Sequence, residues 1–199
     1  MSKVSLCNLA LRRVGEQTIT SLTEVTKNAK LCNELYQETL EEVLRNHTWN
    51  CAKFRVELAQ DADTPTYGWT YQYSLPVDPR CVRVLRMEDT ESEWVIEGTK
   101  LLTDEGTVKI LYVGDTDNPE DLDPLCRKVV YLEMAAAMAY TLVENNTILN
   151  GIEAQLDKAW SDARGVNAQE GTKMQTQRSQ WLESRYQGIG AGISRNNVR

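Results

Sequence analysis

The chain has 199 residues, of which 41% are hydrophobic and 26% charged; this is the balance of a globular protein with one sizeable core, or with a core and a smaller lobe. Its apolar runs are all shorter than the roughly 18 residues that a membrane-spanning helix needs, so no membrane partner is expected. The five cysteines include no CxxC pair and there is one histidine, which argues against a structural zinc site, while the odd number of cysteines argues against a disulfide framework.

The charge of the chain is unevenly distributed. The net charge is −7, but residues 164–199 carry six Lys or Arg and two acidic residues, a net charge of +4. Residues 86–123 carry twelve acidic residues against three basic ones, a net charge of −9. Such asymmetry bears on partners more than on fold. It indicates either a solvated acidic face or a surface that repels phosphate.

Two amphipathic helices are predicted in the first quarter of the chain. Apolar residues recur at helical spacing over 4–14, and Gly15 suits the left-handed conformation that ends helices. Thr26 is a suitable N-cap for a longer helix, which continues to about His47 with apolar side chains on one face and glutamates on the other. These helices are expected to form half of a bundle.

The pattern changes to strands in the middle of the chain. Residues 69–75 alternate strictly between apolar and polar side chains, which predicts a half-buried strand. With turns at Gly98 and at 104–106, further short strands are predicted at 81–87, 94–97, 100–103 and 107–113. An antiparallel β lobe is therefore expected over 54–123.

Two more helices are predicted after the lobe. Asp123 caps the first of them, and Pro124 occupies its first position, where the missing N–H costs nothing. Residues 124–144 are apolar on nearly all sides, which is typical of the central helix of a bundle. A fourth helix is predicted over about 148–164.

The predicted fold class is α+β, with a discontinuous bundle of about four helices, an inserted antiparallel β lobe and an extended C-terminal tail. The bundle would comprise residues 1–53 and 124–164, the lobe 54–123 and the tail 165–199. The tail has no core pattern of its own, so it is either a flexible terminus or a docking segment. Because Trp, Tyr and Arg dominate protein interfaces, we predict docking through Arg178, Trp181, Arg185 and Tyr186.

Catalytic motifs are absent from the sequence, which has no Gly-rich phosphate loop, no GxSxG and no HExxH. A nucleophilic site would depend on His47, whose place on the apolar stripe favours a core or helix-end role. Glu133 is either a general acid with a raised pKa or, as we favour, a helix–helix or subunit contact paired with Arg12, Arg13 or Arg127. We expect a binding protein rather than an enzyme, without catalytic residues, metal or cofactor.

Two runs of the sequence carry packing patterns of a known family. The chain resembles podovirus head-to-tail adaptors, the tail tubular protein A family, in CNLALRRVGEQTITSLTEVTKNAKLCNELYQETLEEVLRNHTWNCAKFRVELA (7–59) and in YGWTYQYSLPVDPRCVRVLRM (67–87). The first run has a glycine-terminated helix and a helix ending in Trp49-Asn50. The second has an aromatic strand leading into Leu-Pro-x-Asp. Cys51 departs from the family pattern, in which an aromatic residue often follows Trp-Asn.

The resemblance implies a structural virion protein of a bacteriophage, a ring of twelve copies below the portal vertex. The helical body would stack on the portal protein, the C-terminal extension would insert between portal subunits, and the β lobes would face a tail nozzle protein of the tail tubular protein B type. Such a protein is expected in the neck of the virion, after assembly in the host cytoplasm.

Duplex DNA would pass through such a ring without specific binding, because an acidic channel does not retain phosphate. The acidic residues that we predict to face the channel or the nozzle are Glu88, Asp89, Glu91, Glu93, Asp104 and Glu105. Two alternatives stay open. One is a virion-associated cell-wall hydrolase that uses a carboxylate, and the other is a DNA-packaging accessory factor, which would retain duplex DNA in a salt-dependent manner.

Overall fold

The computed structural model describes residues 1–116, 118–142 and 146–171. The density of internal contacts divides the chain into two units, residues 1–168 and residues 169–199. The described residues form four α-helices and two small antiparallel sheets, so the fold class is α+β, as predicted. In the described ranges no helix combines the length and the apolar character that crossing a bilayer requires.

The first two helices lie where the sequence predicts them. Helix α1 (Lys3–Val14) ends at Gly15, whose φ of 88° is left-handed. Helix α2 (Lys27–Asn46) begins after Thr26, whose Oγ1 accepts a hydrogen bond from the Ala29 amide at 3.2 Å. Both ends are therefore fixed by local backbone chemistry that the sequence displays.

The last two helices follow the strands. Helix α3 (Pro124–Leu142) is capped by Asp123, whose Oδ1 accepts a hydrogen bond from the Leu125 amide at 2.7 Å. Helix α4 (Asn146–Gln169) begins earlier and ends later than predicted. Its last turn stays helical because Asn167 there is hydrogen-bonded to the segment that follows α2.

One apolar core joins helices from both sides of the strand-rich middle. Helix α3 contacts both α1 and α2, which makes it the central helix that its apolar sequence predicts. Helix α4 adds Ile152, Ala159 and Ala163 to the same core. Trp49, which follows α2, is 1% exposed, and its indole N–H donates to the Val43 carbonyl at 2.9 Å.

The described part of the chain between α2 and α3 contains six strands. They are β1 (Lys53–Leu58), β2 (Tyr71–Ser74), β3 (Cys81–Met87), β4 (Trp94–Glu97), β5 (Lys100–Thr103) and β6 (Val108–Gly114). Sheet A has the order β1-β6-β3 and sheet B the order β2-β5-β4. We predict β2 to β6 from the sequence but not β1, although Phe54, Val56 and Leu58 alternate there with polar residues.

Sheet A lies between two apolar clusters. Ile110 and Tyr112 on one face of β6 share a cluster with Tyr73 and Leu101 of sheet B. Side chains alternate between faces along a strand, so Val113 lies on the opposite face, where it belongs to the helical core. Val82 and Leu85 of β3 also pack against the helical core, so the lobe and the helices are joined through β3 and β6. The rest of this second face is available to solvent or to a partner.

Candidate interaction surfaces

Two adjoining loops hold all the acidic residues that we predict to face the channel or the nozzle. The loops connect β3 to β4 (88–93) and β5 to β6 (104–107), and we call them the acidic loops. Ser92 joins them, because its Oγ lies 2.9 Å from Oε1 of Glu105. The six exposed carboxylates that the structure brings together belong to Glu88, Asp89, Glu91, Glu93, Asp104 and Glu105.

Hydrogen bonds hold the acidic loops in shape. Oδ1 of Asp89 accepts from the Glu91 amide at 3.0 Å, and Oδ2 accepts from the Ser92 hydroxyl at 2.7 Å. These bonds lower the pKa of Asp89, the backbone bond from Glu91 contributing most. Oδ1 of Asp104 accepts from both the amide and the hydroxyl of Thr70, at 2.8 and 2.7 Å. The loops therefore present their carboxylates from a defined backbone.

Most of the charge on the acidic loops is uncompensated. Glu88 forms an ion pair, with its Oε2 3.0 Å from Nζ of Lys109. Within the described residues the other five carboxylates form no ion pair. Exposed charges within about 8 Å of each other still interact at physiological salt. The loops therefore form a concentrated negative surface.

A basic surface lies on the second face of sheet A. Arg55 of β1 and Arg86 of β3 are the register partners of Leu111 in β6, one on each side. These residues and Lys109 line a groove of about 280 Å³. Lys53 lies two residues before Arg55 and shares its face. We call Lys53, Arg55, Arg86 and Lys109, with Leu111 at their centre, the basic face.

The basic face could not be predicted from the sequence, because its members come from three separate strands. Acidic residues surround Arg86 and Lys109 in the sequence, so the net charge of that segment is strongly negative. Glu57 and Glu88 lie on the same face, beside Lys109. Only the pairing of β1 and β3 with β6 brings the basic residues together.

Glu133 links two helices. Its Oε1 accepts a hydrogen bond from the indole N–H of Trp160 at 2.8 Å, which connects α3 to α4. The Trp160 ring lies against Trp49, with ring centroids 5.7 Å apart, and carries the guanidinium of Arg164 4.6 Å above its centroid. The partner that the structure gives Glu133 is thus a tryptophan, where the sequence suggests an arginine.

His47 lies at the end of α2. Its Nε2 is 3.0 Å from Nδ2 of Asn167. Burial lowers the pKa of His47, and the neighbouring charges of Arg164, Lys53 and Arg83 lower it further. A histidine that acts as a general base is normally oriented by a carboxylate, whereas the charges that act on His47 are cationic. This environment fits the helix-end role.

The five cysteines are free, and four of them lie in pairs. Cys7 and Cys32 form one hydrogen-bonded pair and Cys51 and Cys126 the other. The bond from Cys126 lowers the pKa of Cys51 to about 7. Cys51 and Cys81 are only partly buried, whereas the other three thiols are buried in the helical core, as expected of small apolar side chains.

The chain matches no protein-family model and no curated protein sequence.

The residues that we predict to bind the portal lie outside the described residues. They are Arg178, Trp181, Arg185 and Tyr186, and their role stays a prediction. In the described ranges no group of three or more His, Cys, Asp or Glu side chains is placed to hold a metal ion.

Proposed function

We propose that this protein is a structural component of a phage particle, a head-to-tail adaptor. Copies of the chain form a ring that joins the portal protein to a tail nozzle protein and extends the DNA channel. The sequence patterns at 7–59 and 67–87 support this proposal. The observation that carries it is the pair of acidic loops, which concentrates six exposed carboxylates on the β lobe.

The acidic loops suit a conduit for DNA. A surface that neutralises phosphates binds duplex DNA and would slow its passage. Uncompensated carboxylates instead raise the energy of a nearby phosphate backbone. Five of the six loop carboxylates form no ion pair within the described residues. We infer that the loops line the channel or meet the nozzle, where genome DNA passes without being retained.

Binding to the portal is assigned to the tail. In this proposal residues after the end of α4 bind portal subunits, and the aromatic side chains of Trp181 and Tyr186 anchor the contact. Arg178 and Arg185 add charged hydrogen bonds to the same contact. The mechanism is binding rather than turnover, and a ring closes by repeating one heterologous contact.

The test is a truncation that spares the helical body. Deleting residues 172–199 leaves α4 intact, including Asn167 and its hydrogen bonds to Thr48 and Asn50. The truncated protein should unfold at the temperature of the full chain, yet fail to co-sediment with portal rings of the same virus. Truncated protein that binds portal rings as the full chain does would contradict the proposal.

Point substitutions sharpen the same experiment. Trp181→Ala with Tyr186→Ala should reproduce the loss of portal binding, because both anchors are removed. Asn196→Ala with Asn197→Ala changes the same tail without touching an anchor, and this matched control should bind normally. Zymography of the full chain on cell-wall material addresses the hydrolase alternative, and a cleared zone there would contradict an adaptor without enzymatic activity.

A further inference from the structure

Two guanidinium groups of the basic face have no partner in the part of the chain that the structure describes. Arg55 and Arg86 are exposed and lie on either side of Leu111. Within the described residues neither side chain forms a hydrogen bond or an ion pair. Adjacent strands are about 4.8 Å apart, so the two arginines stand roughly 10 Å apart across the central strand.

This arrangement is typical of a protein interface. Arginine is enriched among the residues that dominate interface energetics, and the centre of an interface is apolar with a polar rim. Leu111 is half-buried at the centre of the basic face, and the charged side chains surround it. A partner that covers Leu111 and supplies carboxylates to both arginines would complete the face.

The charge pattern on sheet A favours carboxylate side chains over a nucleic-acid backbone as that partner. Glu57 is the register partner of Lys109, and Glu88 pairs with Lys109 from the other side. A continuous phosphate backbone laid across the sheet would pass these two carboxylates and be repelled by them. Separate carboxylate side chains can reach Arg55 and Arg86 without meeting either glutamate.

The chain itself carries such carboxylates on the acidic loops. Two complementary surfaces are what a heterologous contact between identical subunits needs, and here they touch each other where Glu88 pairs with Lys109. We propose that the basic face of one copy binds Glu91 and Glu93 of the next copy, and that repetition of this contact closes the ring. Asp89, Asp104 and Glu105 of the acidic loops are then left to face the channel or the nozzle. This inference rests on the proposed ring function, and it names the two surfaces that meet.

A charge-swap experiment tests the contact. Variant one is Arg55→Glu with Arg86→Glu, which reverses the basic face. Variant two is Glu91→Arg with Glu93→Arg, which reverses part of the acidic loops. Within the described residues the Glu91 and Glu93 carboxylates form no hydrogen bond, so the loop backbone is spared.

In each variant alone, the association constant for ring formation should fall at least roughly tenfold, because like charges then face each other. Sedimentation velocity at low salt measures this constant. An equimolar mixture of the two should form rings again, since each reversed surface then meets an opposite charge. One chain that carries all four substitutions should also form rings. Lys27→Glu with Lys30→Glu, an equal change of charge on exposed parts of α2, should leave ring formation unchanged.

The outcomes separate the inference from the proposed function. If the wild-type protein forms rings on the portal and variants one and two each do so equally well, the proposed contact between subunits is wrong and the adaptor function stands. If the equimolar mixture of variants one and two does not form rings, the proposed contact is also wrong. If wild-type protein neither forms rings nor binds portals, the proposed function fails with it. If the wild-type protein retains duplex DNA in a salt-dependent manner and variant one does not, the basic face is a nucleic-acid surface instead.

Discussion

Trp49 is the side chain whose removal should destabilise the helical body most clearly. It is 1% exposed, its ring lies against Trp160, and its indole N–H donates to the Val43 carbonyl. Trp49→Ala should lower the free energy of unfolding by about 3–5 kcal/mol, through lost burial and the cavity left behind. About 1 kcal/mol of this is the lost hydrogen bond. Urea unfolding followed by far-UV circular dichroism measures the change independently of tryptophan fluorescence.

Two further variants test the reasoning behind that magnitude. Trp49→Phe retains an aromatic ring but loses the hydrogen bond and some volume, so it should cost less than the alanine variant. Tyr67→Ala removes an aromatic side chain that is 87% exposed and should change stability by less than about 0.5 kcal/mol. A loss below about 1 kcal/mol for Trp49→Ala would refute the packing of Trp49 against Trp160 and the helical core.

Three other outcomes are expected. Gly114→Ala would place a Cβ 2.6 Å from Cδ2 of Phe54, so the free energy of unfolding in urea should fall by about 1–3 kcal/mol. In Gly151→Ala the new Cβ meets open space in α4, so the free energy of unfolding should not fall. The pKa of His47 lies below its ordinary value of 6.5 in the folded protein, so the unfolded chain binds more protons near pH 6. The free energy of unfolding should therefore fall as the pH falls through 6.5, and it should fall less in His47→Gln. Equal falls in the two proteins would contradict the lowered pKa of His47. Cys51, with a pKa of about 7, should react with iodoacetamide before the other thiols at pH 7.5, as read by peptide mass spectrometry. Uniform labelling of all five would contradict that pKa.

Helix ends could be predicted because their causes are local. Thr26 and Asp123 accept hydrogen bonds from the first turns of α2 and α3, and Gly15 takes the left-handed conformation after α1. Each of these signals lies within a few residues of the backbone that it fixes. The end of α4 was not predictable in the same way, because Asn167 is held by residues that precede it by more than half the chain.

The surfaces were harder to predict, because strand pairing decides them. Periodicity indicates a strand, but it does not say which strands are neighbours. The missed strand β1 is the one that brings Arg55 beside Leu111. The acidic loops were predicted as a set of residues, since they are contiguous in two short stretches. Their junction through Ser92 and Glu105 depends on the fold.

The central claim is that this chain functions as an adaptor ring between a portal and a tail. Electron microscopy of the full chain mixed with portal rings of the same virus tests it most directly. We predict a closed ring stacked coaxially on the portal, with an open central channel and the β lobes on the side away from the portal. Portal rings that remain bare at saturating concentrations of the protein would contradict the account.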